Sequence, residues 1–291
     1  MARLERVQAA NGVVTYRSSL LAGAGFLHGF STRDGGVSGP PFDSMNLGIA
    51  QAPGEPDGDG NVAANAALLM EAIGASGAAM VRVRQVHGCA VHHCDGSEAF
   101  GPPAVEADAL VSADPRAAPC IRTADCVPVL LACPVTGAAA AVHAGWRGIV
   151  AGVVGRAVAA LEARHGVPRA SLLAAVGPSI GCAAYEVGPE VAAAFAAAAG
   201  SGFVHPSPVP GGREHIDCHG AVHAQLVASG VPAARIDGEP LCTAGPSREF
   251  FSYRRDGARS GRMAAVIVPR ALSGPRSASP AQPALPRHCV R

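Results

Sequence analysis

The stretch CVPVLLACPVTGAAAAVHAGWRGIV, residues 126–150, constrains the fold of this chain more than any other. It holds two short apolar runs, CVPVLLACP and AAAAVHAG, bounded by Pro and Gly. Runs of that length read as buried strands. The second ends abruptly in His-Ala-Gly-Trp-Arg-Gly, which carries the single tryptophan of the chain. A buried strand gains nothing from Trp146 and Arg147 at its tip. A site at the end of that strand does. Residues 149–166 then follow a helical pattern that finishes in a basic turn and Gly166, both favourable at a helix C-terminus.

Other segments extend this mixed pattern. Residues 13–30 are expected to be strand material that runs into a Gly-rich loop, HGFSTRDGGVSG. From Asn61 the apolar spacing is helical and stops at Gly74. MVRVRQVHG (80–88) alternates at period two, which predicts a half-buried strand ending at His87. Residues 108–115 form another short apolar run, and 171–181 a strand followed by a turn. PEVAAAFAAAAG and CHGAVHAQLVASGV predict two more helices. EFFSYRRDG leading into RMAAVIVP predicts a hairpin with a closing strand. Strands and helices do not alternate regularly, so the expected class is an α+β sandwich in one domain over residues 1–269. The Pro, Ser, Ala and Arg-rich residues 270–291 are expected to form a disordered tail.

Composition excludes several classes. With 291 residues the chain is long enough for a substantial core, and its net charge of +1 gives no field for nucleic acid or anionic lipid. Nearly half the residues are hydrophobic, much of that fraction alanine, and no membrane span or signal peptide is expected. A cytoplasmic location follows as the expectation. Nine cysteines occur at irregular spacing with no C-x-x-C pair, which argues against zinc-ribbon and thioredoxin-type motifs.

Three residues stand out as zinc ligands: His87 in RQVHG, Cys126 in TADCVP and His143 in AVHAGWRG. Zinc takes imidazole and thiolate readily, and three protein ligands leave a fourth position for water or substrate. Separations of 39 and 17 residues are not a local metal motif, and a core cysteine with two loop histidines is the plain alternative. Cys126, beside Asp125, also reads as a nucleophile held as thiolate by a nearby histidine. A rival cluster, Asp217, Cys218, His219 and His223, lacks the zincin glutamate, since Gly220 follows the first histidine. Lysines are scarce and no phosphate-loop motif is present, so phosphate contacts fall to arginine or backbone N–H groups. Arg33, Arg147 and Arg254 are the best placed, each in a loop.

The fragments FSTRDGGVSGPPFDSMNLG, RQVHG, ADALVS, TADCVPVLL, AVHAGWRGIVAGVV, GPSIGCAAYEVGPEV and FFSYRRDGARSGRMAAVIV occur in the order found in the YfiH family of laccase-domain proteins, which this chain resembles from Leu27 to Pro269. Members have been called multicopper polyphenol oxidases, peptidoglycan editing factors and purine nucleoside phosphorylases. The resemblance implies an α/β/β/α sandwich like that of toxin deamidases. It implies a metal site, usually zinc and less often copper, on His87, Cys126 and His143, with Asp125 beside them as a further catalytic residue. Arg33, Asn46, Arg147 and Arg254 are the expected substrate contacts, with Arg147 binding an anion or orienting Asp125.

The implied chemistry is phosphorolysis of adenosine, inosine, guanosine or methylthioadenosine, together with adenosine deamination. The partners are then a nucleoside and phosphate, with no nucleic acid or membrane, in a monomer or homodimer. Alternatives are a peptidoglycan-precursor amidase, a copper phenol oxidase and a non-enzymatic metal-stabilised binding protein. One departure stands out. After Asn-Leu-Gly the family often carries HVGDDP and later Asn-Arg, whereas this chain reads IAQAPGEPDGDGNVAANA and has Ala66 beside Asn65. The loop that caps the site is expected to differ in shape.

Overall fold

The computed structural model describes residues 4–48, 57–98 and 103–271. Its strands, in chain order, begin with β1 (Glu5–Gln8), β2 (Val14–Arg17), β3 (His28–Ser31), β4 (Ala79–Val81) and β5 (Val91–His93). They continue with β6 (Ala109–Ser112), β7 (Ala117–Thr123), β8 (Val127–Ala132), β9 (Ala139–Ala144) and β10 (Leu173–Val176). The last are β11 (Val204–His205), β12 (His215–Ile216), β13 (Ile236–Asp237) and β14 (Met263–Ile267). The helices are α1 (Ser19–Gly23), α2 (Asp59–Ala72), α3 (Trp146–Val150), α4 (Val153–His165), α5 (Pro189–Ala199), α6 (Cys218–Ala228) and α7 (Tyr253–Asp256).

Two six-stranded sheets carry the fold, one in the order β1-β2-β3-β14-β7-β4 and one in the order β13-β10-β8-β9-β6-β5. Side chains alternate faces along a strand, and here both faces of both sheets are covered. On β8, Val127, Val129 and Leu131 join Val154, Leu161, Phe195 and Leu226 from α4, α5 and α6. Leu130 and Ala132 point the other way, into a layer with Ile121, Met263, Ala265 and Phe30 of the facing sheet. The far side of that sheet places Ala118, Cys120, Ala264 and Val266 against Leu69 and Met70 of α2 and Ile73 just after it. The result is the expected α/β/β/α sandwich. Alanine-rich β9 works as a central strand because Ala139 and Ala141 face larger residues across the sheet interface. Small residues opposite large ones fill the layer at interior density.

Several local expectations change. Residues 13–30 split into strand, helix and strand, because the hydroxyl of Ser18 accepts from Leu21 N and caps α1. The helix expected over 149–166 is two helices, broken where Gly152 adopts a left-handed conformation (φ 75°). It closes as expected on a left-handed Gly166. EFFSYRRDG forms no hairpin arm. It coils through α7, and β14 pairs instead with β3 and β7. Strand β7 was not anticipated, since RAAPCIRTAD carries Pro119 and Arg122 and lacks a clean alternation. The domain reaches past residue 269: the Arg270 backbone N–H donates to Gly137 O and its guanidinium to Pro134 O. The rest of the expected tail, 272–291, lies outside the described residues, as do 49–56 of the departing loop. Among the described residues no helix is long and apolar enough to cross a membrane.

Leu130 is fully buried between the sheets, so Leu130→Ala is expected to lower stability by about 2–5 kcal/mol through lost transfer energy and a residual cavity. Urea denaturation checks this, and an unchanged midpoint would contradict a packed inter-sheet layer.

Candidate metal centre and its cleft

Two turns and the end of a strand, at one end of the sandwich, bring the expected ligands together. Cys126 stands immediately before β8. His143 is the penultimate residue of β9 and pairs with Pro128 in the ladder. His87 does not end a strand: β4 stops at Val81, and His87 sits in a turn at φ 59°. One donor atom from each of the three lies within 4.8 Å of the other two. The two imidazoles meet edge to face with centroids 4.9 Å apart. Gly145 makes the approach possible, because a Cβ there would lie 2.8 Å from His87 Cδ2 and 3.1 Å from Cys126 Sγ.

Asp108 organises the group. Its carboxylate is fully buried and accepts from the backbone N–H of Val86 (3.3 Å), His87 (2.9 Å) and Gly88 (2.6 Å). It also pairs with His143 Nδ1 at 2.8 Å. A carboxylate that only accepts keeps a proton on Nδ1 and leaves Nε2 to face Cys126. Burial opposes the imidazolium charge, but pairing with Cys126 and Asp108 raises the His143 pKa to about 9. Without a metal Nε2 is therefore protonated too and donates to the thiolate, and a metal ion would take the place of that proton. Burial opposes ionisation of Asp108, yet the hydrogen bond and charge of His143, followed by the Gly88 and Val86 N–H groups, hold its pKa below the usual carboxylate range. Burial likewise raises the Cys126 thiol, but the charge of His143 and hydrogen bonds from both histidines outweigh it and bring the pKa down to about 6. Two imidazoles, an activated thiol and a carboxylate behind one imidazole form a donor set that suits zinc.

Asp125 lines the cleft and is also tied into the fold by both carboxylate oxygens. It occupies a left-handed position (φ 91°) directly before Cys126. Its Oδ1 accepts from the Thr243 hydroxyl at 2.7 Å and its Oδ2 from Arg254 N at 2.6 Å. Both carboxylate oxygens therefore hold the turn that presents the cysteine, and Arg147 plays no part in orienting it.

The centre lines a cleft of about 620 Å³. Trp146, Arg147, Asn46 and Arg254 reach this cleft with the three ligands. Arg147 is exposed and lies over the Trp146 ring at 4.3 Å, and Arg254 lies over Tyr185 at 5.0 Å. Asn46 is committed to structure, with Oδ1 accepting from Gly48 N and Arg262 N and Nδ2 donating to Asp57. Arg33 is not brought to the cleft: its guanidinium donates to Asp43 and stacks on Phe251, beside a separate depression. Asn65 ties Val37, Ser38, Ser44 and Asn46 together, while Ala66 packs under the sheet. The rival cluster is helical structure. Asp217 caps α6 by accepting from Gly220 N, and His219 is buried in that helix. Among the described residues, His87, Cys126 and His143 alone form a three-donor cluster with metal-ligand spacing. Asp108 and Arg122, both in this region, carried no role in the sequence reading; an acid at the start of a buried strand was the available signal for the first.

A metal-ready Cys-His-His centre at the edge of an α/β/β/α sandwich defines the class, and comparison with known proteins agrees. The family described as multi-copper polyphenol oxidoreductase laccase matches residues 27–270. The chain belongs to that family, the YfiH-like laccase-domain proteins. It is 41% identical over 244 residues to a purine nucleoside phosphorylase of Deinococcus radiodurans, covering 84% of this chain and 89% of that one. It is 40% identical over 240 residues to a purine nucleoside phosphorylase of Streptomyces coelicolor, covering 82% and 93%. Among solved structures, YlmD of Geobacillus stearothermophilus superposes with a TM-score of 0.79 at 30% identity, over 92% of this chain and 100% of that one. Bacillus licheniformis YfiH gives 0.80 at 27% identity, over 91% and 99%.

Asp108→Asn is expected to weaken metal binding by about 10–100-fold, the usual cost of losing a carboxylate behind a histidine ligand. Gly145→Ala should leave the circular dichroism spectrum intact while bound metal becomes substoichiometric. Elemental analysis of the purified variants reads both, and full metal content in either would show that the ligands are positioned by something else.

Proposed function

We propose that this chain is a purine nucleoside phosphorylase with a zinc ion on His87, Cys126 and His143. Its substrates are adenosine, inosine, guanosine and methylthioadenosine, with phosphate as the second substrate. The observation that carries the reading is the cleft itself, which sets the Cys-His-His centre beside aromatic rings and arginine side chains in one space of about 620 Å³. Trp146, Tyr185, Tyr253 and Phe42 offer faces for a purine. Arg147 and Arg254 stand at the rim, where they can orient a ribose or an anion. The names of the curated relatives, at 40–41% identity across most of the chain, support the same chemistry.

In the reaction the C1′–N9 bond breaks and its electron pair goes to the purine nitrogen, which takes up a proton. A phosphate oxygen forms the new bond to C1′. The chain's own contribution is to hold both partners in line and to exclude water from the anomeric carbon, where positioning alone lowers the barrier substantially. Asp125 and Asp108 are positioning residues here, each fixing a turn that presents a ligand. Zinc, when bound, supplies Lewis-acid polarisation and a ligand water of lowered pKa. Three protein ligands leave a tetrahedral position open, and this supports a second activity, hydrolytic deamination of adenosine.

Copper phenol oxidation fits less well. Multicopper chemistry draws on several copper centres, whereas the described residues hold one three-donor cluster.

Chromatography of adenosine and inosine incubated with the protein, with and without phosphate, tests the proposal. Free base and ribose 1-phosphate should form only with phosphate, and both should be lost in Cys126→Ala or after chelation. Inosine formed from adenosine without phosphate would add the deaminase. No turnover of any nucleoside would overturn the reading and direct attention to amide hydrolysis in a muropeptide precursor.

A further inference from the structure

Beyond the rim arginines, a deeper cation lines the same cleft. Arg122 lies near the end of β7, four residues before Cys126. Gln85 fixes its backbone on one side, accepting from Arg122 N at 2.9 Å and donating to Arg122 O at 2.7 Å. On the other side the β7–β14 register sets Ala264 directly opposite, a small residue that leaves space on this face of the sheet. Arg262 shares that face as the diagonal neighbour, because residues two apart on a strand point the same way.

The guanidinium of Arg122 has almost nothing to satisfy it. Its Nη2 donates to Val83 O at a long 3.3 Å. Its Nε is shielded from water and has no hydrogen-bond partner. Among the described residues no carboxylate is hydrogen-bonded to it. The described acids that line the cleft are engaged elsewhere: Asp57 by Ser38 and Asn46 on one oxygen and by Asn61 on the other, and Asp125 by Thr243 and by Arg254 N. Arg82 and Arg262 add like charge: burial first, then repulsion from Arg82 and from Arg262, together lower the Arg122 pKa to about 10. A shielded cation beside other cations is costly unless an anion completes it. Arginine in such a place matches the fork of a tetrahedral oxyanion.

We propose that Arg122, assisted by Arg262, is the phosphate anchor of the cleft and holds inorganic phosphate as the nucleophile of phosphorolysis. The inference rests on the phosphorylase reading and refines it. The exposed rim arginines are then left to the nucleoside.

The test uses the full chain with its metal. Isothermal titration of inorganic phosphate at fixed ionic strength is compared for the native protein, Arg122→Met and Arg122→Lys, beside steady-state kinetics with inosine. Arg122→Met should weaken phosphate binding, and raise the KM for phosphate, by about 10–100-fold, as loss of charge-assisted hydrogen bonds predicts. The KM for inosine should stay near its native value, and Arg122→Lys should recover part of the loss. Circular dichroism confirms that the variants fold. Equal phosphate affinity in Arg122→Met, or equal rises in both KM values, would overturn the anchor.

The two readings fail separately. Phosphorolysis with an unchanged phosphate KM in Arg122→Met overturns the anchor and leaves the phosphorylase. Arg122-dependent phosphate binding without turnover of any nucleoside keeps the anion site and removes the reaction assigned to it.

Discussion

One buried carboxylate holds this site together. Asp108 takes three successive backbone N–H groups from the 86–88 turn and the Nδ1 proton of His143. Its own backbone carbonyl also accepts from His143 N at 2.7 Å. Removing a carboxylate from water costs several kcal/mol. Hydrogen bonds to an ionised group return about 1.5–3 kcal/mol each, so a nest of four can offset the penalty where one could not. The interaction thereby does two jobs. It stabilises His87 in a left-handed conformation that a non-glycine residue seldom adopts, and it orients the second histidine toward the same three-donor cluster.

The sandwich makes that carboxylate possible. Asp108 immediately precedes β6, which lies between β5 and β9 in a sheet covered on both faces. A group at the end of such a strand is dry without being deep in the core. Cys126 and His143 emerge at the same edge because β8 and β9 are adjacent and antiparallel, so the start of one meets the end of the other. Asp125 repeats the device with Thr243 and Arg254 N. Each ligand-bearing loop is thus fixed by an acid next to a ligand or hydrogen-bonded to it.

The arginines divide by the same logic of solvent access. Arg33 is neutralised by Asp43 and has left the cleft, so its position in a Gly-rich loop was misleading. Arg147 and Arg254 rest on aromatic faces with their charges toward water. Arg122 differs because a strand, not a loop, carries it inward. An arginine in a strand of otherwise buried residues is a mark of function visible in RAAPCIRTAD, yet without the strand assignment it reads as an ordinary surface charge.

By itself the sequence marked the sandwich class, two buried strands within 126–134 and 138–145, helical structure after them, and three residues whose donor atoms the fold brings together. Short apolar runs, glycine stops and the odd tip His-Ala-Gly-Trp-Arg-Gly are local signals, and local signals survive in one dimension. Tertiary structure decided the rest. The role of Asp108 depends on a turn 20 residues upstream and a strand 35 residues downstream. The need for glycine at 145 comes from His87 and Cys126, both distant in sequence. Whether an arginine is paired, stacked or left waiting for an anion depends on which carboxylates the fold brings near. Hydrogen bonding and charge act over a few ångströms of space, and only the folded chain sets which residues share them.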